Sequence, residues 1–457
     1  ATLFCDMTEK RLITAALPYI NNIPHLGHIV GSHLPADVFA RFCRSKGYDT
    51  LFIGGSDEHG TPAELAAEEV GVPLQRFCEV MSQKHKEIYD WFDISYDNFS
   101  RTSREIHHEV TKDFFWNLWN NGYISEGEME QLYSPEEDRF LADRYVIGTC
   151  PHCGYEEATG DQCDKCTRVL NPRELINPRS KISNSELELR TTKHLFLDLN
   201  KLQAELKEWI GNHEKFRSQV KSIAEGWIRE GLERRCITRD IKNGIQVPLE
   251  GYENKVFYVW FDAPIGYISS TKEISERWEE FWKKGDTKIF HYLGKDNIPF
   301  HTILWPGMLM GNGEYQIPYN VIGMQNLNFE GQKFSKSRKI GVFCEKLMES
   351  DLDSDVLRAY LCRQIPETAD SEFKWDEFME RVNDELVGNY GNFVNRGLSF
   401  LYKKYDGHIV RPGDDDLTEA DHDLLNESKR LREEIEEALE NGSTRDAYTK
   451  FTELSTK

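Results

Sequence analysis

Apolar runs of strand length alternate with apolar stripes at helical spacing over the first hundred residues. Residues 11–17 (RLITAAL) form a buried-strand run that stops at Pro18. Ile29, Val30, Leu34, Val38, Phe39 and Phe42 then recur at helical spacing, which predicts a helix from His28 to Arg44. Residues 50–55 (TLFIGG) read as a second strand, ending in a polar cluster at 56–62 (SDEHGTP). Strand, helix and strand with polar groups at the carboxyl ends is the plan of a doubly wound parallel α/β sheet. The alternation pauses between about 115 and 250, where charged, irregular sequence predicts an insertion. Strand-like runs return at 256–261 (VFYVWF), 289–293 (IFHYL) and 320–323 (NVIG). Beyond about 350 the pattern is helical. Thr418 and Asp421 are spaced for a capping box, Leu424, Leu431, Ile435 and Leu439 share one face, and Gly442 suits the end.

A chain of 457 residues exceeds one core and predicts two or three domains. Hydrophobic residues at 39% and aromatic residues at 12% are enough to fill them. No apolar run reaches the length of a membrane span, and the N-terminus lacks a basic start followed by an apolar stretch, so no membrane and a cytoplasmic location are expected. Lys and Arg number 56 against 78 Asp and Glu, a net charge of −22. That disfavours a surface coated for nucleic-acid binding and leaves room for a local basic track. Of the cysteines, Cys5, Cys43, Cys78, Cys236, Cys344 and Cys362 are scattered, the pattern of free thiols in a reducing compartment.

The remaining four form two Cys-x2-Cys knuckles, Cys150 with Cys153 and Cys163 with Cys166. Four soft sulfurs suit tetrahedral closure on one zinc ion and leave no position for water, so the expected role is structural. Lys165 and Arg168 would offset the thiolate charge. His25-Leu26-Gly27-His28 falls where the first strand hands over to a helix N-terminus, a place that favours anions. Gly27 offers bare backbone to a flat adenine, and imidazole N–H groups suit phosphate oxygens. Lys333-Phe334-Ser335-Lys336-Ser337 lies in a Gly-, Asn- and Ser-rich stretch and offers mobile ammonium groups to β- and γ-phosphates. Each motif is weak alone; together they read as two halves of an ATP site.

These two motifs resemble the signatures of class I aminoacyl-tRNA synthetases, and further stretches are similar to the methionyl-tRNA synthetase family. Those stretches are 16–19 (ALPY), 57–62 (DEHGTP), the cysteine knuckles, 259–267 (VWFDAPIGY) and 294–297 (GKDN) through His301. The resemblance implies methionine activation by ATP to methionyl-adenylate and pyrophosphate, then transfer to the 3′ end of tRNA(Met). Mg²⁺ would accompany ATP, and one zinc would be structural. His25, His28, Lys333 and Lys336 would be catalytic. Gly27, His28, Gly294, Asp296 and Lys336 would hold ATP. Leu17, Tyr19, Asp57, Trp260, Ala263, Pro264, Tyr267, Ile298 and His301 would form the methionine pocket, with Asp57 on the ammonium. A Tyr267 hydroxyl and a His301 N–H would face the sulfur, penalising leucine.

Asn392 and Arg396, one helix turn apart, would meet the anticodon. The implied layout is a Rossmann-type catalytic domain over 1–114 and 251–325, interrupted at 115–250 by a connective insertion with the zinc knuckle. A lysine-loop and linker domain at 326–370 and an incomplete α-helical anticodon-binding domain at 371–457 complete it. A shortened bundle implies methionine activation with poor tRNA charging. Leu26 stands where the family has Ile, and Phe334 where it has Met; the second bears on loop packing. A class I synthetase for cysteine or a branched-chain amino acid, or a non-catalytic tRNA-binding paralogue, are the alternatives. The sequence does not give the oligomeric state.

Overall fold

Lys10–Ala15 (β1), Asp49–Ser56 (β2), Asn98–Arg101 (β3), Thr287–Gly294 (β4) and Asn320–Met324 (β5) make one parallel sheet in the order β5-β4-β1-β2-β3. The structure is a computed structural model describing residues 8–160, 163, 165–166, 168, 170–334, 340–409, 412–413 and 416–457. Successive side chains of a strand face opposite ways. Leu12, Ile53, Ile289 and Val321 therefore enter one core, while Ile13, Phe52, Phe290 and Ile322 enter the other. With both faces covered, the strands are apolar on both sides, which is why their runs read as continuous. The chain moves outward from β1 through β2 to β3, then returns to the far side of β1 for β4 and β5. Direction reverses between β1 and β4, and a crevice opens outside the carboxyl ends at such a point.

The interruption between β3 and β4 has its own order. A long antiparallel ribbon pairs Ile124–Ser134 with Glu188–Leu197. A small three-stranded sheet of Val146–Thr149, Ala158–Thr159 and Ile176–Ser180 sits beside the cysteines on a core that includes Leu132, Tyr145, Leu170 and Leu175. The strand expected at 256–261 does not join the parallel sheet. Only Val256–Phe257 is extended, antiparallel to Thr238–Arg239, and Val259–Asp262 coils into a helical turn. Phe257 and Phe261, four apart, are buried with ring centroids 5.0 Å apart, while Trp260 between them is 49% exposed. That is helical spacing, and a short aromatic run hides it.

The C-terminal part is helical as expected. Thr418 and Asp421 form the capping box, Leu431 and Leu439 are buried, and Gly442 ends the helix Glu419–Glu440 at φ +71°. Leu424 stays exposed. The helix is tied to the sheet by the buried Arg11 of β1, whose guanidinium reaches Glu440 at 2.9 Å. Asn392 and Arg396 lie exposed in the first turns of Asn392–Tyr405. Among the described residues no helix is long and apolar enough to cross a membrane.

Candidate active site

A cavity of about 370 Å³ opens where the sheet reverses direction. Its walls come from the loop after β1, from Asp57 after β2, from the 260–267 turn and from the segment after β4. Leu17, Tyr19, Asp57, Trp260, Ala263, Pro264, Tyr267 and His301 all line it, and so do His28 and Asp296 of the expected nucleotide set. Ile298 is not on the wall; it is wholly buried, and its side chain fills the space over Gly323. Gly294 closes β4 just before Asp296. Sequence reasoning assigns no role to Asn21, Asn22, His85, Asn297 and Phe300, which also line the cavity. The polar turn after Pro18 is a signal for the asparagines; His85, within the helix Leu74–Trp91, carries none.

Asp57 is clamped by its own main chain. Its N–H donates to the Pro18 carbonyl at 2.9 Å, and its carbonyl accepts from the Ile20 N–H at 3.3 Å. The carboxylate is 4% exposed and, among the described residues, accepts one hydrogen bond, from the His59 N–H at 3.4 Å. Burial, then the nearby charge of Asp262, push its pKa well above the ordinary carboxylate value. Burial acts on Asp262 too, but His59 and His107 outweigh it and hold that carboxyl low. Asp262 hydrogen-bonds His59 Nδ1 and lies 3.9 Å from His107 Nε2. Asp57 is thus a buried acid with no cationic partner among the described residues.

At the other end, the Tyr267 hydroxyl lies 2.8 Å from His301 Nε2, and His301 Nδ1 lies 3.0 Å from the Asn297 carbonyl. A carbonyl only accepts, so Nδ1 carries the proton. Burial pushes His301 down to about 4, so the ring is neutral at pH 7 and its Nε2 accepts from Tyr267. The His301 N–H expected at a substrate sulfur is therefore spent on Asn297, and the Tyr267 hydrogen is spent on His301.

The histidine motif caps its own helix. The Gly27 N–H donates to His25 Nδ1 and the His25 N–H donates to His28 Nδ1, each at 3.1 Å. Burial lowers His25 to about 4. Burial, then the neighbouring His25, push His28 down as well, although water reaches its ring through the cavity and screens part of this. Two neutral rings with Nδ1 occupied as acceptors must carry their protons on Nε2. Gly27 is required by this cap, since a Cβ there would lie 2.8 Å from the His25 ring. The Phe334 ring stacks on His25 with centroids 4.6 Å apart, which brings this residue of the lysine motif to the histidines. Lys333 is exposed in a two-residue strand, and Lys336 lies outside the described residues.

The four cysteine sulfurs lie within 4.8 Å of one another, with Cys150–Cys166 at 3.9 Å and Cys153–Cys163 at 3.6 Å. Tetrahedral Zn–S bonds of about 2.3 Å place sulfurs about 3.8 Å apart, so the set fits one ion. The Cys166 N–H donates to Cys163 Sγ and helps lower that thiol to about 7.

The family model described as tRNA synthetases class I (M) matches residues 11–398. This chain belongs to that family. It is 49% identical over 419 residues to Methionine--tRNA ligase 1 of Acaryochloris marina, a match covering 90% of this chain and 75% of the relative. Identity to Methionine--tRNA ligase of Rubrobacter xylanophilus is 44% over 468 residues, covering 98% and 81%. The crystal structure of Mycobacterium tuberculosis methionyl-tRNA synthetase bound by methionyl-adenylate superposes with a TM-score of 0.79 at 24% identity, over 98% of this chain and 82% of that one. At that identity the likeness speaks for the family fold.

Proposed function

We propose that this synthetase is a methionine–tRNA ligase and that the cavity between β1 and β4 is where methionine meets ATP. The observation that carries the reading is that one cavity holds Asp57, Tyr267 and His301 together with His28 and Asp296. A buried carboxylate with no cation beside it among the described residues suits the methionine ammonium. Trp260, Tyr267 and the flat Ala263–Pro264 wall suit an unbranched, polarizable side chain. Leu17, Tyr19 and Ile298 complete the pocket, Ile298 from behind. A carboxylate oxygen of methionine attacks the α-phosphorus of ATP, the bond to the bridging oxygen breaks, and pyrophosphate leaves. The neutral Nε2–H groups of His25 and His28 donate to phosphate oxygens as charge builds. Lys333 and Lys336 take the β- and γ-phosphates, Mg²⁺ arrives with ATP, and Gly27, Gly294 and Asp296 hold the nucleoside.

The terminal ribose hydroxyl of tRNA(Met) then attacks the methionyl carbonyl and expels AMP. Asn392 and Arg396 serve the anticodon from the helical domain. Cys150, Cys153, Cys163 and Cys166 hold one structural zinc. Free thiols at every described cysteine support a cytoplasmic setting.

The test is exchange of labelled pyrophosphate into ATP across the twenty amino acids. Methionine should drive it and leucine should not. In the His28→Ala variant the rate should fall roughly 10²-fold or more. Equal exchange with leucine, or none with methionine, sinks the reading.

A further inference from the structure

His85 sits within the helix Leu74–Trp91, is 1% exposed, and still touches the cavity. Its Nε2 lies 2.7 Å from the Asn22 carbonyl oxygen. A carbonyl only accepts, so Nε2 carries the proton. Burial is the largest influence on the ring and pushes it down to about 4, so it is neutral at pH 7 and Nδ1 is a bare acceptor. That nitrogen is buried and has no partner among the described residues. A buried acceptor left bare costs free energy, and an apolar side chain would pack there without that cost. What the imidazole adds is one N–H aimed at one carbonyl.

Asn22 lies midway along the loop that runs from the methionine wall to the histidine motif. The near end of the loop is tied to the end of β2, where the Ile20 N–H donates to the Asp57 carbonyl at 3.3 Å. The far end is tied to the segment after the lysine motif. There the Cys344 N–H donates to the Pro24 carbonyl at 3.1 Å, and the Leu26 N–H donates to the Val342 carbonyl at 3.2 Å. His85 fastens the stretch between these ends to a long helix, and Asn21, Asn22 and Pro24 of that stretch line the cavity.

Resting on the reading that His25 and His28 meet the phosphates, we propose that His85 is a positioning residue for the histidine motif: its Nε2–H holds the Asn22 carbonyl, and that hold sets where His25 and His28 stand. His85 touches no reacting atom in this role. Groups that steady phosphate oxygens tolerate little misplacement, and a shift of about 1 Å can cost roughly 10²-fold in rate. Leu17, Tyr19 and Asp57 lie on the other side of the Ile20 tie, so methionine is not steered through this bond. The contribution belongs to turnover and not to amino-acid affinity.

His85→Leu removes the N–H with a residue that suits a helix, and His85→Gln offers an amide N–H at a similar reach. Pyrophosphate exchange per active site, with sites counted by the adenylate burst, should fall roughly tenfold in His85→Leu, and the methionine KM should stay within about twofold. His85→Gln should recover most of the rate. A full rate in His85→Leu, an equal loss in both variants, or a methionine KM that rises with the loss overturns the assignment. Nitrogen-15 NMR of the histidine-labelled protein reads the placement directly. His85 should be protonated at Nε2, and the His25 and His28 signals should shift in His85→Leu and return in His85→Gln. Protonation of His85 at Nδ1, or His25 and His28 signals that stay put in His85→Leu, overturns it. If the unsubstituted protein exchanges with no amino acid, the functional reading has failed, and these signals still decide whether His85 places the motif.

Discussion

At residue scale, Asp57 sets binding against stability. Its carboxylate is buried beside the ionised Asp262 and has no cationic partner among the described residues. Its folded-state pKa lies above the unfolded value, so the folded state binds the proton more tightly. By linkage, the contribution to stability is full below the unfolded pKa, near 4, and is lost as pH rises through the folded pKa. Asp57→Asn removes this cost and removes the partner for an ammonium. Methionine affinity should fall roughly 10²-fold or more, because the substrate charge is left unpaired in a dry site. Thermal stability of the variant should exceed that of the unsubstituted protein at pH 8, with the gap closing toward pH 3. Calorimetry across pH, together with methionine titration, checks both halves. A variant less stable at pH 8 would mean that the charge is already compensated.

At the scale of elements, Phe334 anchors the described start of the lysine motif. Phe334 lies against His25 on one side, and the space beside Gly341, at φ +134°, is filled by its ring on the other. A Cβ at Gly341 would collide with that ring and strain a backbone conformation that suits glycine. Gly341→Ala should therefore push the strip off the histidines. The exchange rate should drop about tenfold, and equilibrium methionine binding, read by tryptophan fluorescence, should hold. If methionine affinity fell with the rate, the strip would be supporting the amino-acid pocket as well. The docking partner is illegible in the sequence, where Phe334 reads as a packing position of the loop with nothing to name His25 as the ring it meets. The strands β1, β2, β4 and β5 are legible because both of their faces are buried and their runs are continuous. The ribbon Ile124–Ser134 is not. Its middle positions alternate between exposed and half-buried and carry acids, so no apolar period marks it. Eight of the nine methionine residues expected from the resemblance line one cavity, and Ile298 is buried off its wall, over Gly323. The direction of the Tyr267–His301 hydrogen bond needs Asn297, a partner four residues away that no spacing rule singles out.

At the scale of the molecule, the cysteine knot is mechanically joined to the pocket. Leu65, in the helix Thr61–Val70 that follows the Asp57 loop, packs against the core of the knot. Tyr145, on the edge of the knot, donates its hydroxyl to Glu64 at 3.3 Å, and Glu64 accepts the Asn243 N–H at 3.0 Å. The Asn243 side chain then donates to the carbonyls of Glu58 at 2.9 Å and Gly60 at 3.1 Å, the loop that begins at Asp57. A metal that closes four thiolates is folding free energy for so small a core. Chelation should release one zinc per chain, open residues 141–187 to limited proteolysis, and leave the parallel sheet folded. Because the line from Tyr145 to Gly60 would slacken, the methionine KM should rise roughly fivefold, about the worth of one buried hydrogen bond, while the ATP KM stays put. Tyr145→Phe, with zinc retained, should reproduce the KM change without the new cleavage sites. If chelation exposes the knot and Tyr145→Phe leaves the methionine KM untouched, the metal stabilises its own domain and the hydrogen-bonded line carries nothing to Asp57.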